Sequence, residues 1–359
     1  MAKGRDYGTE ATEYVDPVTG AEITQLTTNP THSQNLYFED CHFTPNSEIV
    51  IFTSRRSASR GARSDLFRCN VDGTHLTQLT ESDRFSNAVL ALDGEHSFFS
   101  AGKEIRSVSM DDSSEEVVFA SDEMSFGRIS VGGSYIFIQA TFSKDKSGIV
   151  RIDLDGSNPK TIKEGIRIGH LNPSPTGNYV AYIETAETNE FAGQTWYVMD
   201  ADGEGDHRWP VQNWAHSAWV GTSDRMQGTL LPPDHAITWI APDQTLEEME
   251  TITSGPYFWH SSASADGQWL VADTQWPDIG LQLIHLPTGR YHTLCRSESS
   301  IMGHAHPHPS FSPDGTRVLF NSDRTGIIQV YVVKVPEWLT EKLEAGALLK
   351  RDRMVSKTV

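Results

Sequence analysis

Phe311-Ser312-Pro313-Asp314-Gly315-Thr316-Arg317-Val318-Leu319-Phe320 reads as a tight polar turn feeding an apolar strand. Pro presets φ, Asp bonds its own backbone two residues on, and Gly accepts positive φ. Val318, Leu319 and Phe320 have the β-branched and aromatic character of a buried strand. The unit recurs as FTPNSEIVIF (43–52), LALDGEHSFF (90–99), ISVGGSYIFI (129–138), PSPTGNYVAY (173–182) and ASADGQWLVA (263–272). A degenerate copy, WVGTSDRMQGTL (219–230), fills the one gap. With Asn46, Asp93, Gly132, Thr176, Thr222, Asp266 and Asp314 as equivalent turn positions, the spacings are 47, 39, 44, 46, 44 and 48 residues. Seven repeats of this size, each with room for several short strands, predict an all-β chain, a seven-bladed β-propeller of four-stranded blades.

The segments between copies fit that expectation. Residues 64–73, 149–156 and 196–203 are each an alternating strand closed by Asp-Gly, a hairpin signal. The last copy ends with a third strand at 329–336 and no fourth follows. Glu22-Ile23-Thr24-Gln25-Leu26-Thr27 is a near copy of Leu76-Thr77-Gln78-Leu79-Thr80, which closes the first repeat. An N-terminal strand at 22–27 would therefore complete the seventh blade, close the ring and remove its free edges. The chain reads as a single domain: a polar, partly disordered lead-in at 1–20, a propeller at 21–336, and a helix and tail at 337–359. The helix is expected over 337–349, after Pro336, with an apolar stripe at Leu339, Leu343 and Ala347.

Composition narrows the function. The chain has 359 residues, 37% hydrophobic and 21% charged, as in a soluble globular protein. A net charge of −19 speaks against nucleic acid as a partner. No run of residues is apolar enough to span a membrane, and MAKGRDYGTEATEYVDPVTG lacks the apolar core of a secretion signal. Three scattered cysteines make neither a disulfide framework nor a thiolate metal site, so a cytoplasmic location is expected. Neither a G-x-S-x-G elbow, a P-loop nor a G-x-G-x-x-G fingerprint is present.

The histidines carry the functional signal. Six residues before the seven turn positions stand Asp40, Asn87, Phe126, His170, His216, His260 and His308. Four consecutive repeats thus place histidine where an innermost strand begins, at one mouth of the central channel. His304, His306 and His308 alternate, and Pro307 and Pro309 favour extended backbone at His306 and His308. Their imidazoles are expected on one side, neighbours roughly 7 Å apart along the backbone. His32 leads into the first inner strand and is a candidate for the same rim. Polar lining of a wet channel is the plainer account of any one histidine; four at one position plus His306 point to a cluster. Imidazoles without thiolates suit Mn, Fe, Zn or Ni, and neutral imidazole also serves as a base. The run Arg55-Arg56-Ser57-Ala58-Ser59-Arg60-Gly61-Ala62-Arg63 is a candidate anion contact or a solvated hairpin. Trp214, Trp219, Trp259 and Trp276 could stack on a sugar or pack between blades.

From Asp16-Pro17-Val18-Thr19-Gly20 to Val335-Pro336-Glu337 the chain resembles the oligogalacturonate lyases, cytoplasmic seven-bladed propeller enzymes of pectin breakdown. His306-Pro307-His308-Pro309-Ser310-Phe311 looks like that family's metal-binding segment. The resemblance implies metal ligands at His260, His306 and His308, a catalytic base at His216 in His216-Ser217-Ala218-Trp219, and a catalytic-site histidine at His170. It implies Mn²⁺ or another divalent transition metal as cofactor and a small anionic oligosaccharide as substrate. The implied reaction is β-elimination, removing the C5 proton of a galacturonate and breaking the C4–O bond to leave a 4,5-unsaturated product. Two positions depart from the family. Its Gln ligand is Gly303 here, with His304 or water as the substitute, and a functional Arg is Ser174 here, with Arg167, Arg128 or Arg84 as the substitute. These departures keep two alternatives open: a lyase or epimerase for another uronate, and a non-catalytic binding propeller resembling those of the Tol system.

Overall fold

In the computed structural model, residues 3–57, 59, 61–82, 84–185, 194–211, 213–255 and 257–346 are described. Seven antiparallel sheets follow one another in chain order and form an all-β, seven-bladed propeller. Blade one comprises Ser33–Gln34, Ile49–Ser54, Asp65–Asn70 and Thr77–Gln78. The innermost strands of blades two to seven are Phe85–Leu90, Ser125–Gly132, Ile168–Pro173, Trp214–Trp219, Phe258–Ala263 and Ser310–Phe311.

The repeated turn joins the first two strands of a blade. Its i→i+3 backbone bond recurs as Ser47 to Thr44, Gly94 to Ala91, Gly177 to Ser174, Ser223 to Val220, Gly267 to Ser264 and Gly315 to Ser312, at 2.8–3.0 Å. Blade three differs, turning directly where Gly132 pairs with Tyr135. Thus the degenerate copy at 219–230 is a full blade hairpin despite its lost Pro and Asp-Gly. Gly94, Gly177, Gly267 and Gly315 all have positive φ in this turn, which is why glycine recurs there.

The ring closes as the repeats imply. Glu22–Gln25 pairs antiparallel with Gln329–Lys334, setting Ile23 against Val333 and Gln25 against Tyr331. The two near-copies make the same local contact: Gln25 Nε2 donates to Thr27 O and Gln78 Nε2 to Thr80 O, each at 2.8 Å. Described residues of the lead-in pair with the ring. Thr12–Val15 adds a fifth strand to blade seven, and Gly4 and Tyr7 donate to Gln78 O and Leu76 O along the edge of blade one. These residues cover backbone that an outer edge would otherwise leave unpaired.

Among the described residues, seven hydrophobic clusters hold the ring together, several drawing on two adjacent blades. One combines Val271 and Leu283 of blade six with Phe320 and Val333 of blade seven. The helix Glu337–Ala345 docks Leu339 and Leu343 into that cluster. Gly346 ends it in the left-handed conformation, and Arg290 caps it by donating to Leu343 O and Glu344 O at 2.7 and 2.6 Å. Ala347 and the tail at 350–359 lie outside the described residues. No helix among the described residues is long and apolar enough to cross a membrane.

Candidate functional site

Histidines reach the channel by a shared backbone device. The inner strands of blades four, five and six each slip register, between Gly169 and Asn172, Ala215 and Ala218, and Phe258 and Ser261. Each bulge spans the third residue of its strand: His170, His216 and His260. A bulge adds a residue and re-aims its side chain. His170 and His216 have φ of 45° and 52°, and His308, just ahead of the inner strand of blade seven, has 46°. Such backbone costs a non-glycine residue on the order of 1–2 kcal/mol and is concentrated at functional sites.

His260 is the hub. Its ring centroid lies 4.2 Å from His308, 5.1 Å from His306 and 4.3 Å from His216. His306 and His308 are 5.9 Å apart. The carbonyls of the His-Pro-His-Pro segment are pinned: Asn35 Nδ2 donates to His308 O at 2.7 Å, Asn321 N to Pro307 O at 2.8 Å and Ser262 Oγ to Pro309 O at 2.9 Å. Asn35 and Asn321 also bond each other through their side chains at 2.6 Å.

Asp273, absent from the sequence reading, orders two of these histidines. Its carboxylate accepts His260 N at 2.7 Å, His260 Nδ1 at 3.0 Å and His308 N at 3.2 Å. The signal was a carboxylate among apolar residues in Trp269–Thr274, the second strand of blade six. Binding Nδ1 leaves Nε2 of His260 as a free lone pair. Burial pushes Asp273 up to about 6 and drives His260 well below the usual histidine range, so the imidazole is neutral. Burial does the same to His216 and His308, with neighbouring histidines adding to it. His216 Nδ1 and Nε2, His306 Nδ1 and His308 Nδ1 are buried with no hydrogen-bond partner among the described residues. Convergent, unpartnered imidazole nitrogens are the donor set a divalent transition metal takes. One atom from each of His260, Asp273 and His306 lies within 4.8 Å of the others, a group that could hold a metal ion.

A second unforeseen element lies beneath the histidines. The inner strand of blade one stops at Gln34, and the following residues cross the channel. Tyr37 sits 4.9 Å from His308, Phe38 5.2 Å from His260 and 6.5 Å from His216. Glu39 and Asp40 both pair with Arg128 Nη2 of blade three at 2.9 Å, and Glu39 Oε1 is 3.9 Å from His170 Nδ1. Residues from blade one thereby touch blades three to seven. Asp40, the blade-one counterpart of the ring histidines, is wholly buried, and burial pushes its carboxyl up to about 7. Arg128 holds two buried carboxylates. Arg128→Met should cost about 3–5 kcal/mol by leaving both unpaired. A lower denaturant midpoint at unchanged slope would report it.

Several expected members lie elsewhere. His304 is exposed on a turn in which Ala305 N bonds Met302 O, so the extended alternation holds only for His306 and His308. Gly303, in the same turn, has φ of 58° and opens on empty space. His32 is exposed outside the ring cluster. Ser174 is buried in the blade-four turn, accepting Asn178 N and Tyr179 N at 3.2 and 3.1 Å, at the opposite strand end from His170. An arginine there would not face the histidines. Arg128 is neutralised, while Arg84 and Arg167 are exposed on loops before inner strands. Trp214 and Trp219 are buried in a core cluster, Trp259 touches His216 at 4.3 Å, and Trp276 is 43% exposed.

No family model matches the chain. It is 22% identical to an oligogalacturonide lyase of Pectobacterium atrosepticum, over 94% of this chain and 99% of that one. An oligogalacturonate lyase of Dickeya dadantii is 23% identical over the same shares. Among solved structures, an oligogalacturonate lyase in complex with manganese superposes with a TM-score of 0.82, at 22% identity, over 95% of this chain and all of that one. An oligogalacturonate lyase from Vibrio parahaemolyticus gives 0.80 at 18% identity, over 94% of this chain and all of that one. The chain is a seven-bladed β-propeller homologous, at low sequence identity, to the oligogalacturonate lyases.

Proposed function

We propose that this chain is a metal-dependent carbon–oxygen lyase that cleaves short oligogalacturonides by β-elimination. The observation that carries the reading is the cluster of His216, His260, His306 and His308, in which His216, His306 and His308 have buried ring nitrogens without a partner among the described residues. His260, through Nε2, with His306 and His308 would hold Mn²⁺ or a similar divalent ion. Asp273 stands behind His260 as the group that fixes its tautomer. When bound, the cation supplies electrophilic polarisation of a uronate carboxylate and so acidifies the adjacent carbon.

The chain's own residues do the proton work. His216 lies against His260, with no hydrogen bond to its ring nitrogens among the described residues, and takes the C5 proton of the bound uronate. Burial keeps it unprotonated, and the arriving carboxylate supplies the negative charge that raises its proton affinity during the step. The C5–H pair becomes the C4=C5 bond as C4–O breaks. His170, half-buried beside Glu39, would hand a proton to the departing oxygen. Phe38 and Tyr37 close the floor and exclude water from below. Three unpaired cysteines, two of them buried, suit a reducing cytoplasm.

A panel of oligouronides with detection of unsaturated product by ultraviolet absorbance tests the reading. Product from galacturonides supports it; product from another uronate alone moves the assignment to that sugar, and none from any overturns it. Asp273→Asn should weaken metal affinity roughly 10–100-fold, measured by titrating metal into metal-free protein.

A further inference from the structure

A cavity of about 170 Å³ opens on the same end of the ring, lined by Pro30, Thr31, His32, Arg55, Ser57 and Ile327. Its walls are the ends of the first hairpin of blade one, where Ser33 pairs with Ser54. Inner strands begin at this end, as they do for the histidines. Arg55 N donates to His32 O at 2.8 Å, and the Thr31 hydroxyl bonds Arg55 O, so both residues stand on tied backbone. Ser33 and Ser54 hydroxyls bond beneath them at 2.8 Å.

Arg55 differs from Arg128, Arg56 and Arg324. Arg128 is paired with Glu39 and Asp40, Arg56 with Glu10, and Arg324 with Glu298. Arg55 makes no ion pair among the described residues. One Nη2 donates to Ser59 O at 3.0 Å, and its Nε is buried without a partner. A guanidinium with a spare buried donor, beside an imidazole, matches a carboxylate in shape and charge. In a chain of net charge −19, such a site is where an anionic oligomer gains most from the local field.

We propose that the Arg55–His32 cavity is a second carboxylate subsite, holding a uronate unit other than the one acted on at the histidines. The inference rests on the oligouronide reading above. Its place along the substrate follows from the chain: His32 is three residues from Asn35, whose amide holds His308 O. Three extended residues span roughly 10 Å, further than a single sugar ring. That offset is about two sugar rings, so the cavity meets the third unit counted from the reacting one, which a trimer has and a dimer lacks, its carboxylate on Arg55 and His32 and a C–H face on Ile327.

The test compares Arg55→Gln with the parent chain on di- and trigalacturonate. The ratio of kcat/KM for trimer over dimer should fall about 10–100-fold, the worth of one charge-assisted bidentate contact. Equal shifts on both substrates, or none, overturn the proposal. A binding arm separates this from failure of the lyase reading: calorimetric titration of trigalacturonate into His216→Ala with and without Arg55→Gln. A similar 10–100-fold weakening supports the subsite even if wild type makes no unsaturated product. Unchanged affinity, or no binding to the single variant, overturns it. His32→Gln should weaken trimer binding in the same direction by a smaller factor.

Discussion

His306→Ala is expected to abolish both stoichiometric metal and turnover while leaving the fold intact. Among the proposed ligands, His306 is the cleanest to remove. Its Nδ1 has no partner among the described residues, and its backbone is held by Asn321 and Asn35 through neighbouring carbonyls. Little stability should go with it. His260→Ala is a poorer probe, because it strips a donor from the buried Asp273 carboxyl and adds a folding defect. With His306 gone, two imidazoles and a carboxylate behind them make an incomplete donor set. Elemental analysis should drop from about one ion per chain to background. Unsaturated-product formation should fall about a thousandfold, the equivalent of losing roughly 4 kcal/mol of electrophilic stabilisation. A variant that keeps its metal and its rate would dissociate the histidines from the chemistry. Heat or denaturant midpoints near the parent's would show that the loss is not unfolding.

His216→Ala should give the opposite split: metal retained, turnover lost by about 10²–10⁴, the usual worth of a positioned base. The distances make this a demanding comparison. His216 is 4.3 Å from His260, almost as close as His308 at 4.2 Å. Proximity alone would allow it into the donor set in place of the family's Gln, whose position is Gly303. What separates it from the ligand set is attachment. His260 is oriented by Asp273 and His308 sits on pinned backbone, whereas no hydrogen bond among the described residues orients the His216 ring; its unpartnered nitrogens do not separate it, since His306 and His308 share that feature. Loss of metal in His216→Ala would make it a ligand and leave the base unassigned. Retained turnover would refute its role outright. His216→Gln, closer in size, guards against collapse of the pocket beside Trp259.

The turn-and-strand repeat made seven blades legible because a hairpin is a local object. Alternation, an Asp-Gly or Pro-Asp-Gly turn and a β-branched run are each decided by a few neighbouring residues. The kinship of 22–27 with 76–80 even announced ring closure, since both segments place Gln in the same edge role. The histidine ring was legible for the same reason: one position, counted back from a turn, repeated in four blades. His304 broke the rule because alternation carries across a segment only while it stays extended, and a turn at 302–305 ends that.

What the chain by itself determined is therefore its periodic scaffold and the identity of the side chains brought to one rim, both set by short-range backbone preference. Tertiary structure alone decided what surrounds them. Tyr37 to Asp40 cross from blade one to blades three, four, five, six and seven, and Asp273 reaches behind His260 from the next strand. Such contacts exist only after the ring has closed and brought distant segments within bonding range, so no local pattern encodes them. The same closure neutralised Arg128 and left Arg55 with a donor to spare.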